Sequence, residues 1–229
     1  MNKDDQISKR KALFGLSVLI VTLGLLLFIP AWTLDFWQAW VYLFIYTGSS
    51  LMITLFLIKY DMKLLKLRLK AGPAAEKEKS QKVIHTFARF TFIGVMLIPG
   101  FDHRLKWSNV PIYLVIAGEI FVLLGFFIIF HVFKENSYTS ATIEIAENQT
   151  VISTGPYAVV RHPMYSGALL MLLFTPLALG TYWDLICVIL FFVVIIWRVL
   201  DEEKFLSINL SGYTAYCQKT RFRLIPMIW

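Results

Sequence analysis

Six apolar segments, each near the length of a bilayer crossing, leave this 229-residue chain few folds to choose from. They cover approximately 12–29, 36–58, 83–99, 111–133, 164–179 and 185–200. A helix rises 1.5 Å per residue, so about 20 residues cross the hydrocarbon core. Within lipid every backbone polar group must be satisfied inside the chain, which allows helices or a closed barrel. No stretch alternates apolar and polar residues with the period of a strand. The expectation is an all-α, polytopic transmembrane protein of about six spans. Only Gly180, Thr181, Tyr182, Trp183 and Asp184 separate the last two segments, a connection tight enough for a helical hairpin. Lys9, Arg10 and Lys11 before the first run resemble the start of a signal peptide. That run exceeds a usual signal core, and no small-x-small site follows it, so it reads as a span.

Charge placement supports the same reading. The formal charge of +7 raises the question of nucleic acid, but Lys and Arg gather between apolar runs, as in positive-inside loops. No nucleic-acid partner is expected. Lys3, Lys9, Arg10 and Lys11 precede the first span, and the following turn, 30–35, has no basic residue. Lys59, Lys63, Lys66, Arg68, Lys70, Lys77, Lys79 and Lys82 fill the next loop, against Arg104 and Lys106 after the third span. Lys204, Lys219, Arg221 and Arg223 follow the last span. The alternation puts both termini in the cytoplasm. The 61–82 loop should be helical to Leu69 and broken at Ala71, Gly72 and Pro73, lying against anionic lipid. Trp32, Trp37, Trp40, Trp107 and Trp183 stand at aromatic-belt positions near the opposite turns. Cys187 lies in an apolar run and Cys217 near a basic end, so no disulfide is expected. His85, His103, His131 and His162 form no ligand spacing, and no metal is expected.

Chemistry is expected at the cytoplasmic face, in the stretch from Asn136 to Tyr165 and the Arg198–Glu203 cluster, and is densest just before the fifth span, from Thr154 to Gly167. Gly155 and Pro156 make a turn, and Pro163 suits the first position of a helix. The amides of Met164, Tyr165 and Ser166 would then be free at a helix N-terminus, which attracts anions. His162 beside them can donate or accept. The alternative is an ordinary interfacial cap. At the end of the sixth span, Arg198 and Glu202 are four apart and share a helix face, followed by Glu203. That pair is either functional or an intrahelical ion pair with a snorkelling arginine. Tyr213 and Tyr216 fall in a short tail helix that covers the site or anchors the surface.

The run 151–157, then Arg161-His162-Pro163-Met164-Tyr165-Ser166-Gly167, Arg198 with Glu202 and Glu203, and Tyr213, Tyr216 and Leu224-Ile225-Pro226 strongly resembles the isoprenylcysteine carboxyl methyltransferase family. It is also similar to the wider group that includes phospholipid N-methyltransferases. The resemblance covers roughly residues 110–229 and divides the chain into N-terminal spans with a basic loop (1–110) and a methyltransferase-like membrane region (111–229). It implies S-adenosylmethionine as methyl donor without a Rossmann domain, and no G-x-G-x-x-G between a strand and a helix is present. The resemblance assigns the donor to Gln149, Thr150, Val151, Ile152, Tyr157, His162, Pro163, Met164, Tyr165 and Glu202. A further family position, a glutamine, falls near Thr142, where this chain departs from the pattern. The substrate-contacting arginine of the family matches Arg198.

These assignments have physical sense. The helix start at His162–Tyr165 suits a carboxylate, Glu202 suits amine or hydroxyl donors, and the Tyr157 and Tyr165 rings suit a sulfonium. A carboxylate acceptor is ionised at neutral pH and needs a cation to hold it, whereas an amine arrives protonated and needs a base. Arg198 therefore favours carboxyl O-methylation of a prenylcysteine-like or other lipophilic acid arriving from the bilayer. Lipid N-methylation is the alternative, and a non-enzymatic membrane binding module the second. Glu119, inside the fourth span, is a costly charge with no assigned role, neutral or paired with Arg89.

Overall fold

The computed structural model describes residues 3–70, 76, 78–143, 145 and 148–229. Among the described residues eight α-helices form: α1 (Lys3–Ala31), α2 (Trp37–Tyr60), α3 (Met62–Arg68), α4 (Lys79–Leu105), α5 (Ile112–Glu135), α6 (Pro163–Ala178), α7 (Leu185–Asn209) and α8 (Tyr213–Lys219). A short 3₁₀ turn, Gly155–Ala158, precedes α6. There is no strand and no Rossmann domain among the described residues. The six apolar segments become α1, α2, α4, α5, α6 and α7. Four of these, α1, α2, α4 and α5, are long and apolar enough to cross a membrane by themselves. α6 has only 16 residues, and α7, with 25, carries Arg198, Asp201, Glu202, Glu203 and Lys204 in its second half. The protein is an integral membrane protein. Its outward faces are apolar, as at Phe44 and Ile189.

Helix pairing follows the small residues. α6 turns back from the α7 connection to pack chiefly on α5, while α7 packs chiefly on α4. A Cβ at Gly125 of α5 would lie 2.7 Å from the Gly167 carbonyl of α6, so the two backbones touch. In lipid, where apolar burial gives little drive, such close approach is what holds helices together. α1 packs on α4 and α2 on α5 around Leu27, Ala39, Leu57, Val95 and Val122.

The ends of the bundle are tied differently. At the end carrying the α1–α2 turn, Phe36 stacks on His103 at 4.2 Å. Asp102 accepts from the Ser108 amide at 2.7 Å and hydroxyl at 2.6 Å, and from Thr181. Trp32, Trp37, Trp40, Trp107 and Trp183 are exposed here. At the other end Asp61 caps α3 through the Leu64 amide at 2.9 Å, and α3 ends at Arg68, as anticipated. Ala71, Gly72 and Pro73, read as a helix break, lie outside the described residues. Among the described residues Glu119 is buried with no hydrogen-bond partner for either oxygen, and Arg89 is exposed. The Arg89 pairing does not form.

Candidate functional site

The site begins where α5 stops. Asn136 ends the helix, accepts from the Tyr138 amide at 2.9 Å, and donates to the Tyr157 hydroxyl at 2.9 Å. Gly155 follows with φ +54°, and a Cβ there would meet the Glu135 carboxyl at 2.9 Å. Only glycine makes this turn without strain, since left-handed backbone and contact coincide. The C-terminal strap holds the next segment in place. Arg161 and His162 donate their amides to the carbonyls of Phe222 and Arg223, each at 2.9 Å, and the Ser166 hydroxyl donates to the Leu224 carbonyl at 2.6 Å.

Pro163 occupies the first turn of α6. The Ser166 amide, expected to be free, donates to the His162 carbonyl at 3.1 Å. With His162 as cap residue, its carbonyl accepts the first intrahelical bond, which falls on the fourth helical residue. Met164 and Tyr165 keep helix-start amides.

One cavity gathers the residues selected from sequence. Gln149, Thr150, Val151 and Ile152 border it, with Tyr157, His162, Pro163, Met164, Tyr165, Arg198 and Glu202. Thr142 borders it as well. α8 closes one side: Tyr213 and Tyr216 are buried on the wall, and the Tyr216 hydroxyl donates to the Tyr157 carbonyl at 2.7 Å. The Tyr213 hydroxyl is buried without a partner among the described residues. Burial pushes the phenols of Tyr157, Tyr213 and Tyr216 above their ordinary value, so they stay neutral donors.

Arg198 and Glu202 share their helix face but do not pair directly. Tyr165 lies between them, donating its hydroxyl to Glu202 Oε2 at 2.7 Å and accepting from Arg198 Nε at 2.8 Å. The arginine's charge is met elsewhere. Glu76 Oε1 lies 3.1 Å from both terminal nitrogens, Gln81 accepts from one, and the Ala141 carbonyl accepts from the other at 3.2 Å. A guanidinium has five N–H donors, and here each has a partner. Glu76 is itself buried. His85 Nε2 lies 2.8 Å from its Oε1, and the Ile143 amide donates to its Oε2 at 3.2 Å.

Glu203 ties the strap to α6 and α7. Arg223 donates to it at 2.9 Å, His162 Nε2 lies 3.3 Å away, and Arg161 Nε sits at 3.1 Å, an ion pair without hydrogen-bond alignment. Burial pushes this carboxyl up, but the bonds from His162 and Arg223 and the charges of His162 and Arg161 outweigh it. The net effect lowers it below its ordinary value of 4.5.

Sequence reasoning missed Glu76 and Gln81, which reach Arg198 from 122 and 117 residues away. Asn136 and Tyr138, inside the stretch expected to carry the chemistry but given no role of their own, also lie on the cavity wall. Asn136 at the end of an apolar run, two residues before a tyrosine, was a usable turn signal. Among the described residues no group of three or more His, Cys, Asp or Glu can hold a metal.

Residues 113–211 match the family model of phospholipid methyltransferases, a membrane methyltransferase family related to the isoprenylcysteine carboxyl methyltransferases. The match spans all but the first residue of α5 and all of α6 and α7, including the cavity-lining loop between α5 and α6. No curated protein matches the chain.

Proposed function

We propose, on the premise of this family match, that the protein is an S-adenosylmethionine-dependent membrane methyltransferase acting on a lipophilic carboxylate of the prenylcysteine type. The observation that carries the reading is the single cavity bordered by the α6 start, Tyr157, Tyr165 and Glu202. Its residues fit the donor. Helix-start amides at Met164 and Tyr165 suit an amino-acid carboxylate, the partnerless Tyr213 hydroxyl can donate to an adenosine or ribose acceptor, and Glu202 can receive an amine. Gln149, Thr150, Val151 and Ile152 supply backbone and side-chain groups for the nucleoside end, and His162 and Pro163 set the helix entry. When bound, the sulfonium supplies an electrophilic methyl group.

The protein's own part is positioning and exclusion of water. Tyr165 couples Glu202 to Arg198, so the donor and acceptor sides of the cavity share one hydrogen-bonded unit. Arg198 is the residue for the acceptor carboxylate, and its fork already receives one carboxylate, that of Glu76. A carboxylate held there needs no general base. Saturation of Arg198 favours a second reading, methylation of a phospholipid amine, because the arginine–glutamate pair is close to neutral and repels an ammonium less. A purely non-enzymatic module fits less well, since it has no need of this constellation. The site then faces the cytoplasm with both termini. Cysteine labelling of the 61–82 loop from outside the cell, with the 104–108 loop protected, contradicts that orientation.

Labelled donor with purified protein decides the acceptor. Transfer to S-farnesylcysteine, with little transfer to phosphatidylethanolamine, is the expected result. The reverse preference replaces carboxyl O-methylation with lipid N-methylation.

A further inference from the structure

Resting on the carboxylate-acceptor reading, we infer that Glu76 is a specificity-determining residue: it occupies, on Arg198, the place of the acceptor carboxylate, and an acid must displace it to bind. All five N–H donors of Arg198 are taken, two of them by Glu76 Oε1 at 3.1 Å. An incoming carboxylate therefore finds no donor until an existing partner leaves. Tyr165, Gln81 and Ala141 offer neutral oxygens, so Glu76 is the partner whose place an anion fills with charge conserved.

The exchange is feasible because Glu76 has partners of its own. His85 Nε2 at 2.8 Å and the Ile143 amide at 3.2 Å remain with it when the arginine is given up. The pair is also dry: Glu76 is 3% exposed and Arg198 8%. Charges out of water are weakly screened, so the competition between the two carboxylates is strong. The consequence is a filter. Acids able to bring further binding energy, such as a long apolar chain, displace Glu76, while small carboxylates do not. Glu76→Gln removes the competing charge yet keeps an oxygen that can accept from the arginine.

The test compares an S-farnesylcysteine acid with its methyl ester, which has the same lipid and no charge. In the wild-type protein the two should bind within about threefold of each other. In Glu76→Gln the acid should gain roughly tenfold or more over the ester, with KM for the acid falling and donor affinity unchanged. An acid preference above about tenfold in the wild type overturns the inference, and this arm decides the matter even where the variant fails to fold. An unchanged acid-to-ester ratio in the variant also overturns it, with the methyltransferase reading intact. Absence of acid binding in both forms overturns the inference and the carboxylate reading together, while transfer to an amine lipid preserves methyl transfer itself.

Discussion

The charge cluster at the site end and Asp184 at the opposite end, near the well-partnered Asp102, are buried in opposite ways. At the site end, Arg198 has partners for every donor, and Glu203 is ringed by Arg161, His162 and Arg223. At the other end Asp184, fully buried, has no hydrogen bond to either carboxyl oxygen among the described residues. Burial pushes it up to about 8, against a small pull from the neighbouring Cys187 thiol, which does not reach hydrogen-bond geometry. The difference teaches where charge is used. A buried ion stays charged only where the fold surrounds it with partners, and otherwise its protonation is displaced to relieve the desolvation.

Removing the best-partnered ion should have the largest effect. Arg198→Ala breaks five bonds and leaves Glu76 and Gln81 buried without the guanidinium. Loss of such a pair costs about 2–5 kcal/mol, or roughly 30- to several-thousand-fold in kcat/KM for a carboxylate acceptor. Arg198→Lys should recover only part, because an ammonium lacks the planar fork. A wild-type rate in a folded Arg198→Ala protein, measured by initial velocities, removes the distinction between the two ends.

Glu203→Gln should come next, lowering unfolding stability by about 3 kcal/mol because Arg161 and Arg223 lose their common counter-charge. The pH dependence has a definite sign. A carboxyl lowered in the fold stabilises above its unfolded value, and that contribution is lost as pH falls through the folded value. Thermal unfolding in detergent should therefore drop below about pH 4.5 in the wild type, and Glu203→Gln should flatten the drop.

Asp184→Asn should give the smallest change and the opposite slope. Its carboxyl binds a proton more tightly in the fold, so stability falls as pH rises from about 4 towards 8. The asparagine variant removes that fall and should melt a few degrees higher at pH 8. A lower melting temperature at pH 8 would show that Asp184 is a partnered ion like those at the site.

Much of the helical frame behind this contrast was legible along the chain, because it is local. Apolar runs marked α1, α2, α4, α5, α6 and α7, and the Arg161-to-Gly167 stretch marked the α6 start with Pro163 at its first position. The cavity wall was legible from the same motif. The packing was not: Gly118 and Gly125, seven apart on α5, make the close contact with α6, whereas the short connection suggested α7 as its main neighbour. The polar partners of Arg198 were not legible. Glu76 lies among five other charged residues between 70 and 82, and nothing local separates it from them. Its role arises when α4 packs on α7 and brings a charged loop over a helix far away in sequence. Side-chain pairing at that separation depends on tertiary structure, which periodicity does not encode.

The central claim is methyl transfer at the cavity between α6, α7 and α8, and the most direct measurement is transfer of label from S-adenosylmethionine to S-farnesylcysteine by purified wild-type protein beside Glu202→Gln. The account expects product with the wild type, and a weakened donor affinity with Glu202→Gln in a protein that remains folded. Label transfer with undiminished donor affinity in the folded variant contradicts the assigned cavity, and absence of transfer to any lipophilic acid or amine acceptor contradicts the function.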